Sequence, residues 1–135
     1  MSAISASRSL PSESEDLLFA ANVAVLATVA HDGRPQLTAV WYLFEGRKLR
    51  LTIRDDRHKL RNLMARPVAT LIVVDPSNPL RTLEVRAAVE LLPDDDYAFA
   101  KRIGGKYGTD LLGLDGPGRR RFIATLDSER VNYRG

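Results

Sequence analysis

The segment KLRLTIR at residues 48–54 alternates apolar and polar side chains without a break. Period two is the strand period, so Leu49, Leu51 and Ile53 share one face and Lys48, Arg50, Thr52 and Arg54 the other. Related runs recur along the chain: VAVLATVA at 23–30, QLTAVWYLF at 36–44, VATLIVVD at 68–75 and RTLEVRAAVEL at 81–91, the last with Leu83, Val85, Ala87, Val89 and Leu91 inward. The links between them are short turn signals, HDGRP at 31–35, EGR at 45–47 and PSNP at 76–79. Turns of this kind join antiparallel neighbours, whereas a parallel doubly wound sheet needs long crossovers. The pattern predicts a mainly β, α+β domain: a small barrel of about six antiparallel strands.

Two or three short helices fit between the strands. Ser12 and Glu15 have capping-box spacing, which predicts a helix over 12–21. Residues 55–66 place Leu60, Leu63 and Met64 at helical spacing before Pro67 stops the run. The acids Asp94, Asp95 and Asp96 open a third predicted helix over 93–108 that ends among glycines. Residues 108–121 read as a Gly/Pro loop, followed by one or two last strands. With Lys106 and Tyr107, the 108–118 part is expected to act as a closing loop. Residues 1–11 lack any periodic pattern and are expected to be a flexible N-terminal tail, leaving 12–135 as one domain.

The 135 residues contain no cysteine, so disulfides, thiolate nucleophiles and zinc–sulfur sites are excluded. The apolar run at 17–30 is shorter than the roughly 20 residues of a spanning helix and follows acidic SESED, unlike a secretory leader. A cytoplasmic protein is expected.

Charge is unevenly placed. Residues 47–66 hold eight Arg or Lys against Asp55 and Asp56, a formal +6, while the other twelve cations and fifteen acids leave −3. This cationic stretch spans a strand end and a helix start, where free N–H groups and the helix dipole also favour an anion. Arg57 and Arg61 share one helix face, and Lys59 and Asn62 another. Two readings stay open on the residues alone: a phosphate site, or a solvated basic face. His31 and His58 are far apart in sequence and have no cysteine beside them, so surface roles are expected and no metal site. There is no G-x-S-x-G, and GGKYG at 104–108 is too short for a phosphate loop. In TAVWYLF at 38–44, Trp41 and Leu43 face one way and Tyr42 and Phe44 the other, either as core or as a wall for a planar ring.

ATVAHDGRPQLTAVWY at 27–42, KLRLTIRDDRHKLRNLMARPVATLIVVD at 48–75 and LEVRAAVEL at 83–91 occur in an order that resembles the pyridoxamine 5′-phosphate oxidase-like superfamily. Its fold is a split β-barrel of the FMN-binding type. Within it, the chain is most similar, over about 15–135, to the flavin/deazaflavin oxidoreductase B group of actinobacteria. The resemblance implies a homodimer with cofactor sites at the subunit interface. It puts the cofactor phosphate at Thr52, Arg54, Arg57 and Lys59, with Arg61 and Asn62 close by, and the ring beside Gln36, Thr38, Val40 and Trp41. His58 stands where several flavin-binding relatives keep an arginine. The oxidases resemble R-x-V-L-L-K in the second strand; LTAVWYL here has no cation, which favours coenzyme F420 over FMN. The polyglutamate tail of F420 would occupy Arg50, Arg61 and Arg66. The implied activity is hydride transfer between the deazaflavin and a small planar or conjugated organic substrate, with no catalytic residue singled out. The alternatives are an FMN-binding flavoprotein and, further off, a barrel binding single-stranded nucleic acid. The basic segment lacks the aromatics that such a barrel stacks on bases. Two histidines also permit a haem-binding barrel without suggesting one.

Overall fold

The alternation at 48–54 becomes strand β5 (Lys48–Arg54), with Leu49, Leu51 and Ile53 fully buried. The computed structural model describes residues 4–135, and β5 is one of eight antiparallel strands in it: β1 (Ile4–Ser7), β2 (Ala24–Val29), β3 (Pro35–Val40), β4 (Tyr42–Glu45), β6 (Val68–Asp75), β7 (Asn78–Pro93) and β8 (Arg121–Arg134). The sheet order is β3-β2-β6-β7-β8-β5-β4, with β1 also paired to β8. The long strand β8 meets β7 along one edge; its other edge takes β5 at residues 121–126 and β1 at 131–134. Where β8 passes from one to the other, the register slips by a residue: Arg86 faces Arg130 but Ala87 faces Ser128. Such a bulge lets one strand serve two neighbours in turn.

The two ends of this strand order, β3 and β4, are consecutive in the chain and separated only by Trp41. β3 is bonded to β2 and β4 to β5, so the single predicted strand 36–44 is two strands that change partners at Trp41. The barrel is therefore closed by the chain itself rather than by a β3–β4 ladder, and it is split there. Side-chain alternation survives the break. Tyr42 and Phe44 enter the main core with Leu26, Leu71, Leu83 and Val131, while Trp41 and Leu43 pack on a smaller cluster outside the sheet.

That smaller cluster belongs to α3 (Ala98–Tyr107) and α4 (Leu111–Asp115). The third predicted helix starts later than expected, after a left-handed N-cap at Tyr97, and Asp94 lies outside it with its carboxylate accepting the first-turn Phe99 N–H at 3.2 Å and Ala100 N–H at 2.9 Å. The expected loop 108–121 contains α4, whose N-terminus is capped by Asp110 accepting Gly113 N–H at 3.2 Å. The predicted helix 12–21 is a 3-10 turn, Ser12–Ser14, followed by α1 (Glu15–Phe19). No capping box forms there; Ser14 Oγ donates to Pro11 O at 2.7 Å instead. α2 (His58–Ala65) starts three residues later than predicted and ends before Pro67; Leu60 and Leu63 are buried under it, but Met64 is 58% exposed. Of the expected tail, residues 1–3 lie outside the described residues, residues 4–7 form β1, and Leu10 is buried.

Candidate cofactor-binding site

Arg54 ends β5, and Arg57 is the extended N-cap of α2. The chain therefore turns from strand to helix in three residues. Arg54 O accepts Arg57 N–H at 3.1 Å, and Arg57 O accepts Leu60 N–H at 3.1 Å. Leu60 and Leu63 pin the helix to the core and leave Arg57 and Lys59 beside the split between β3 and β5. A cavity of about 270 Å³ lies there. β3 and its end contribute Ala39, Val40 and Trp41; β5 contributes Thr52 and Arg54; α2 and its cap contribute Lys59 and Arg57. Val23, Leu111 and Arg121 complete the lining.

The cations in this cavity are not equivalent. Arg54 grips Asp56 with two N–H groups at 2.7 and 3.1 Å, and its Nη1 lies 3.5 Å from Asp115 Oδ1. Asp56 accordingly raises the Arg54 pKa, and Arg54 lowers that of Asp56. Arg121 donates Nε–H and Nη2–H to Asp115 at 2.6 and 2.8 Å, and Nη1–H to Thr52 Oγ1 at 3.4 Å. Among the described residues Lys59 has only a long hydrogen bond, 3.4 Å to Thr38 Oγ1. Burial lowers the Lys59 pKa first, and the neighbouring charges of Arg57 and Arg121 lower it further. Among the described residues neither Lys59 nor Arg57 has an ion-pair partner. Arg54 is thus neutralised by its acids, exposed Arg57 fits the solvated-face reading, and half-buried Lys59 is the cation held without a carboxylate among the described residues.

A wider groove of about 660 Å³ runs between the β2–β3 turn and the other side of α2. Asn62 Nδ2 donates to Gln36 Oε1 at 2.7 Å and to Thr28 Oγ1 at 3.1 Å, holding the helix to β2 and β3. Arg61 Nη2 lies 2.5 Å from His58 Nδ1. A guanidinium only donates, so the His58 nitrogen is the acceptor in this contact. His31 and His58, distant in sequence, line this same groove with Arg61 and Arg66. Among the described residues no group of three or more His, Asp or Glu is placed to hold a metal ion.

Of the ten predicted site residues, Val40, Trp41, Thr52, Arg54, Arg57 and Lys59 meet at the first cavity, and Gln36, Arg61 and Asn62 at the second. Thr38 lies between the two, on Lys59. Arg50, expected with Arg61 and Arg66, is elsewhere: it donates to Glu45 at 2.7 Å and lines a different groove.

The family model for pyridoxamine 5′-phosphate oxidase matches residues 10–133. The chain belongs to the pyridoxamine 5′-phosphate oxidase family. A solved structure of an F420 reductase is 36% identical, covers 90% of this chain and 98% of its own, and superposes with a TM-score of 0.81. A protein from Lactobacillus delbrueckii, assigned as a pyridoxamine 5′-phosphate oxidase, is 25% identical over 93% of this chain and 94% of its own, with a TM-score of 0.67. A haem-binding protein from Mycobacterium smegmatis is also 25% identical, over 92% of this chain but 54% of its own, with a TM-score of 0.69. The same fold thus occurs in an F420 reductase, a protein assigned as a pyridoxamine 5′-phosphate oxidase and a haem-binding protein.

Five residues in or behind the site have no local signal. Arg121 opposes Arg54 in the β5–β8 register, 67 residues away. Asp115 and Tyr97 form the network behind it: Tyr97 Oη donates to Asp115 Oδ2 at 2.7 Å. Tyr107 lies behind Trp41, and its hydroxyl donates to Asn22 O at 2.6 Å while receiving Tyr42 N–H at 3.3 Å. Lys106 also turns inward, donating to Tyr42 O at 2.8 Å and Leu18 O at 3.1 Å, where burial lowers its pKa to about 8. Residues 106–111 pack on their own chain, with Leu111 lining the first cavity.

Proposed function

We propose that the protein is a coenzyme F420-dependent oxidoreductase, a reductase that passes a hydride between the deazaflavin and a small planar or conjugated organic substrate. Arg57 and Lys59 carry this reading. They are adjacent cations without carboxylate partners among the described residues, at the split of a fold shared with an F420 reductase at 36% identity. The half-buried Lys59 ammonium costs folding free energy without a partner, and a phosphate would offset it with charge-assisted hydrogen bonds that exposed Arg57 can join.

In this reading the phosphate lies against Thr52, Arg54, Arg57 and Lys59, with Arg61 and Asn62 at the nearer edge of the wider groove. The ring runs beside Gln36, Thr38, Val40 and Trp41. When bound, the deazaflavin supplies a two-electron hydride carrier, and the chain's own residues orient it and exclude water. A cavity of about 270 Å³ takes a phosphate and part of its chain but not a whole cofactor, since small-molecule pockets run to about 300–1,000 Å³. A second wall is needed, and a second copy of the chain is the proposed source. Val25 (37% exposed) pairs with Ala39, and Leu37 (64% exposed) follows on the same outer face, next to the cavity that Ala39 and Val23 line. The proposed assembly is a homodimer with cofactor sites at its interface.

An FMN-binding flavoprotein is the second reading, because the same cations suit a flavin phosphate and the family includes such oxidases. The absence of Arg or Lys between Gln36 and Phe44 weighs against it. Fluorescence titration of the purified protein with F420 and with FMN tests the reading. Saturable F420 binding tighter than FMN supports it. Tighter FMN binding moves the conclusion to the flavoprotein, and binding of neither removes both.

A further inference from the structure

Asp115 stands behind the first cavity on α4, against its lining residues Arg121 and Arg54, in a segment that the sequence marks only as a Gly/Pro loop. Its side chain is 2% exposed, and the groups around it are donors: Arg121 through two N–H groups, the Tyr97 hydroxyl, and Arg54 at 3.5 Å. Tyr97 holds a left-handed backbone (φ 60) at the start of α3 while making this contact, and it also donates to Arg119 O at 3.3 Å.

We propose that Asp115 is a positioning residue for the anion cavity: it fixes Arg121 and Arg54 as a preset wall and leaves Arg57 and Lys59 to neutralise the bound group. The proposal rests on the cofactor reading above. With Nε and Nη2 of Arg121 held by one carboxylate, the planar guanidinium has one orientation, and its Nη1 is left at Thr52 on the cavity wall. Donors fixed in advance lose no further rotamer freedom when the ligand arrives.

The charges agree with this division. Arg54, Arg57, Lys59 and Arg121 are four cations against Asp56 and Asp115, which leaves a formal +2. Arg119 contacts both Asp55 (3.5 Å) and Asp56 (3.3 Å), and adding Arg119 with Asp55 leaves the balance unchanged. A ligand with about two negative charges, at least one on a phosphoryl group, matches that excess. A phosphate monoester such as that of FMN has them on one group near neutral pH. A phosphodiester with a neighbouring carboxylate, as in F420, has them on two.

Positioning and simple electrostatics predict opposite signs for Asp115→Asn. The substitution removes a negative charge from the cavity, so a purely electrostatic role makes anion binding tighter. A positioning role makes it weaker although the cavity gains positive charge. The test titrates the full chain with F420, FMN and inorganic phosphate, using the native protein, Asp115→Asn, and Arg121→Lys, which keeps the charge but loses the fork. Expected are dissociation constants about tenfold weaker in both variants, with saturation stoichiometry and near-ultraviolet circular dichroism unchanged. A loss confined to the fraction of folded protein would be structural and would overturn the proposal, as would unchanged or tighter binding in Asp115→Asn. Should Asp115→Asn fail to fold, Arg121→Lys and Tyr97→Phe decide, and unchanged affinity in both overturns it. If the native protein binds phosphate but neither cofactor, the cofactor reading fails and the phosphate titration alone decides the role of Asp115. Binding of none of the three overturns both.

Discussion

The rings of Trp41 and Tyr107 are stacked 4.6 Å apart and within 4° of parallel, at the point where β3 gives way to β4. Trp41 is the one residue that neither strand claims, and the change of partners there interrupts the backbone ladder. Tyr107 replaces what is lost, since its hydroxyl accepts the Tyr42 N–H and donates to Asn22 O. A phenol from α3 thus holds the closure of the barrel, and the stack fixes the Trp41 ring on the cavity wall.

Tyr107→Phe keeps the stack and removes both hydrogen bonds, leaving a half-buried backbone donor and acceptor unpaired. Stability should fall by about 1–3 kcal/mol, read from the urea midpoint at constant slope. Tyr107→Ala should cost more and shift the emission of Trp41, the only tryptophan, to longer wavelength as water reaches the ring. Emission unchanged in Tyr107→Ala would mean that the ring is held by something else.

Lys59 is expected to trade stability for binding. Its ammonium is desolvated beside Arg57 and Arg121 with no carboxylate partner among the described residues, so Lys59→Met relieves repulsion while the alkyl stem is kept. The unliganded variant should melt at or above the native temperature. Its affinity for F420 should fall by roughly 1.5–3 kcal/mol, the worth of a charged hydrogen bond. A native-like dissociation constant would move the phosphate away from Lys59.

Much of this architecture could be read along the chain, and what could not has a common cause. β5 and β6 occupy the predicted residues because alternation and apolar runs are local properties. α2 ends at Pro67 for the same kind of reason. The break at Trp41 has no Gly or Pro to announce it; it follows from the demand that one segment close a curled sheet. Asp94 and Asp110 accept first-turn N–H groups, which their acidity permits but does not distinguish from surface charge. The site was legible where it lies within one stretch, 52–62. Arg121 and Asp115 join it only through the β5–β8 register and the placement of α4, and such long-range pairing leaves no periodic trace.

Arg81 provides a contrast between stability and binding. It donates to Asp16 at 2.6 and 2.8 Å, Asp75 at 3.1 Å, Tyr133 Oη at 2.9 Å and Glu13 O at 2.7 Å, fastening the N-terminal turn and α1 to the β6–β7 hairpin. None of these groups lines either cavity. Arg81→Ala should lower stability by about 2 kcal/mol, because Asp16 is exposed and its share is screened. Cofactor affinity of the folded protein should stay within a factor of two or so of native. A large loss of affinity would show that the N-terminal segment is coupled to the site.

Acid stability should report on Asp115. Burial alone would raise its pKa, but the hydrogen bonds from Arg121 and Tyr97 prevail and lower it from 3.8 to about 2. Between those values the unfolded chain binds a proton that the folded chain does not, so stability rises with pH across the window. The contribution is therefore complete above about pH 4 and is lost as the pH falls towards 2. A shift of this size at a buried carboxylate corresponds to about 2 kcal/mol. Asp16, Glu45, Asp56 and Asp75 are lowered in the same sense by their own partners, so acid weakens the native protein at several places at once. The difference between native protein and Asp115→Asn isolates one of them. Urea midpoints measured from pH 5 to pH 2 should converge for the two proteins as Asp115 is protonated. Curves that stay parallel over the whole range would mean that Asp115 is not ionised against Arg121 in the native state.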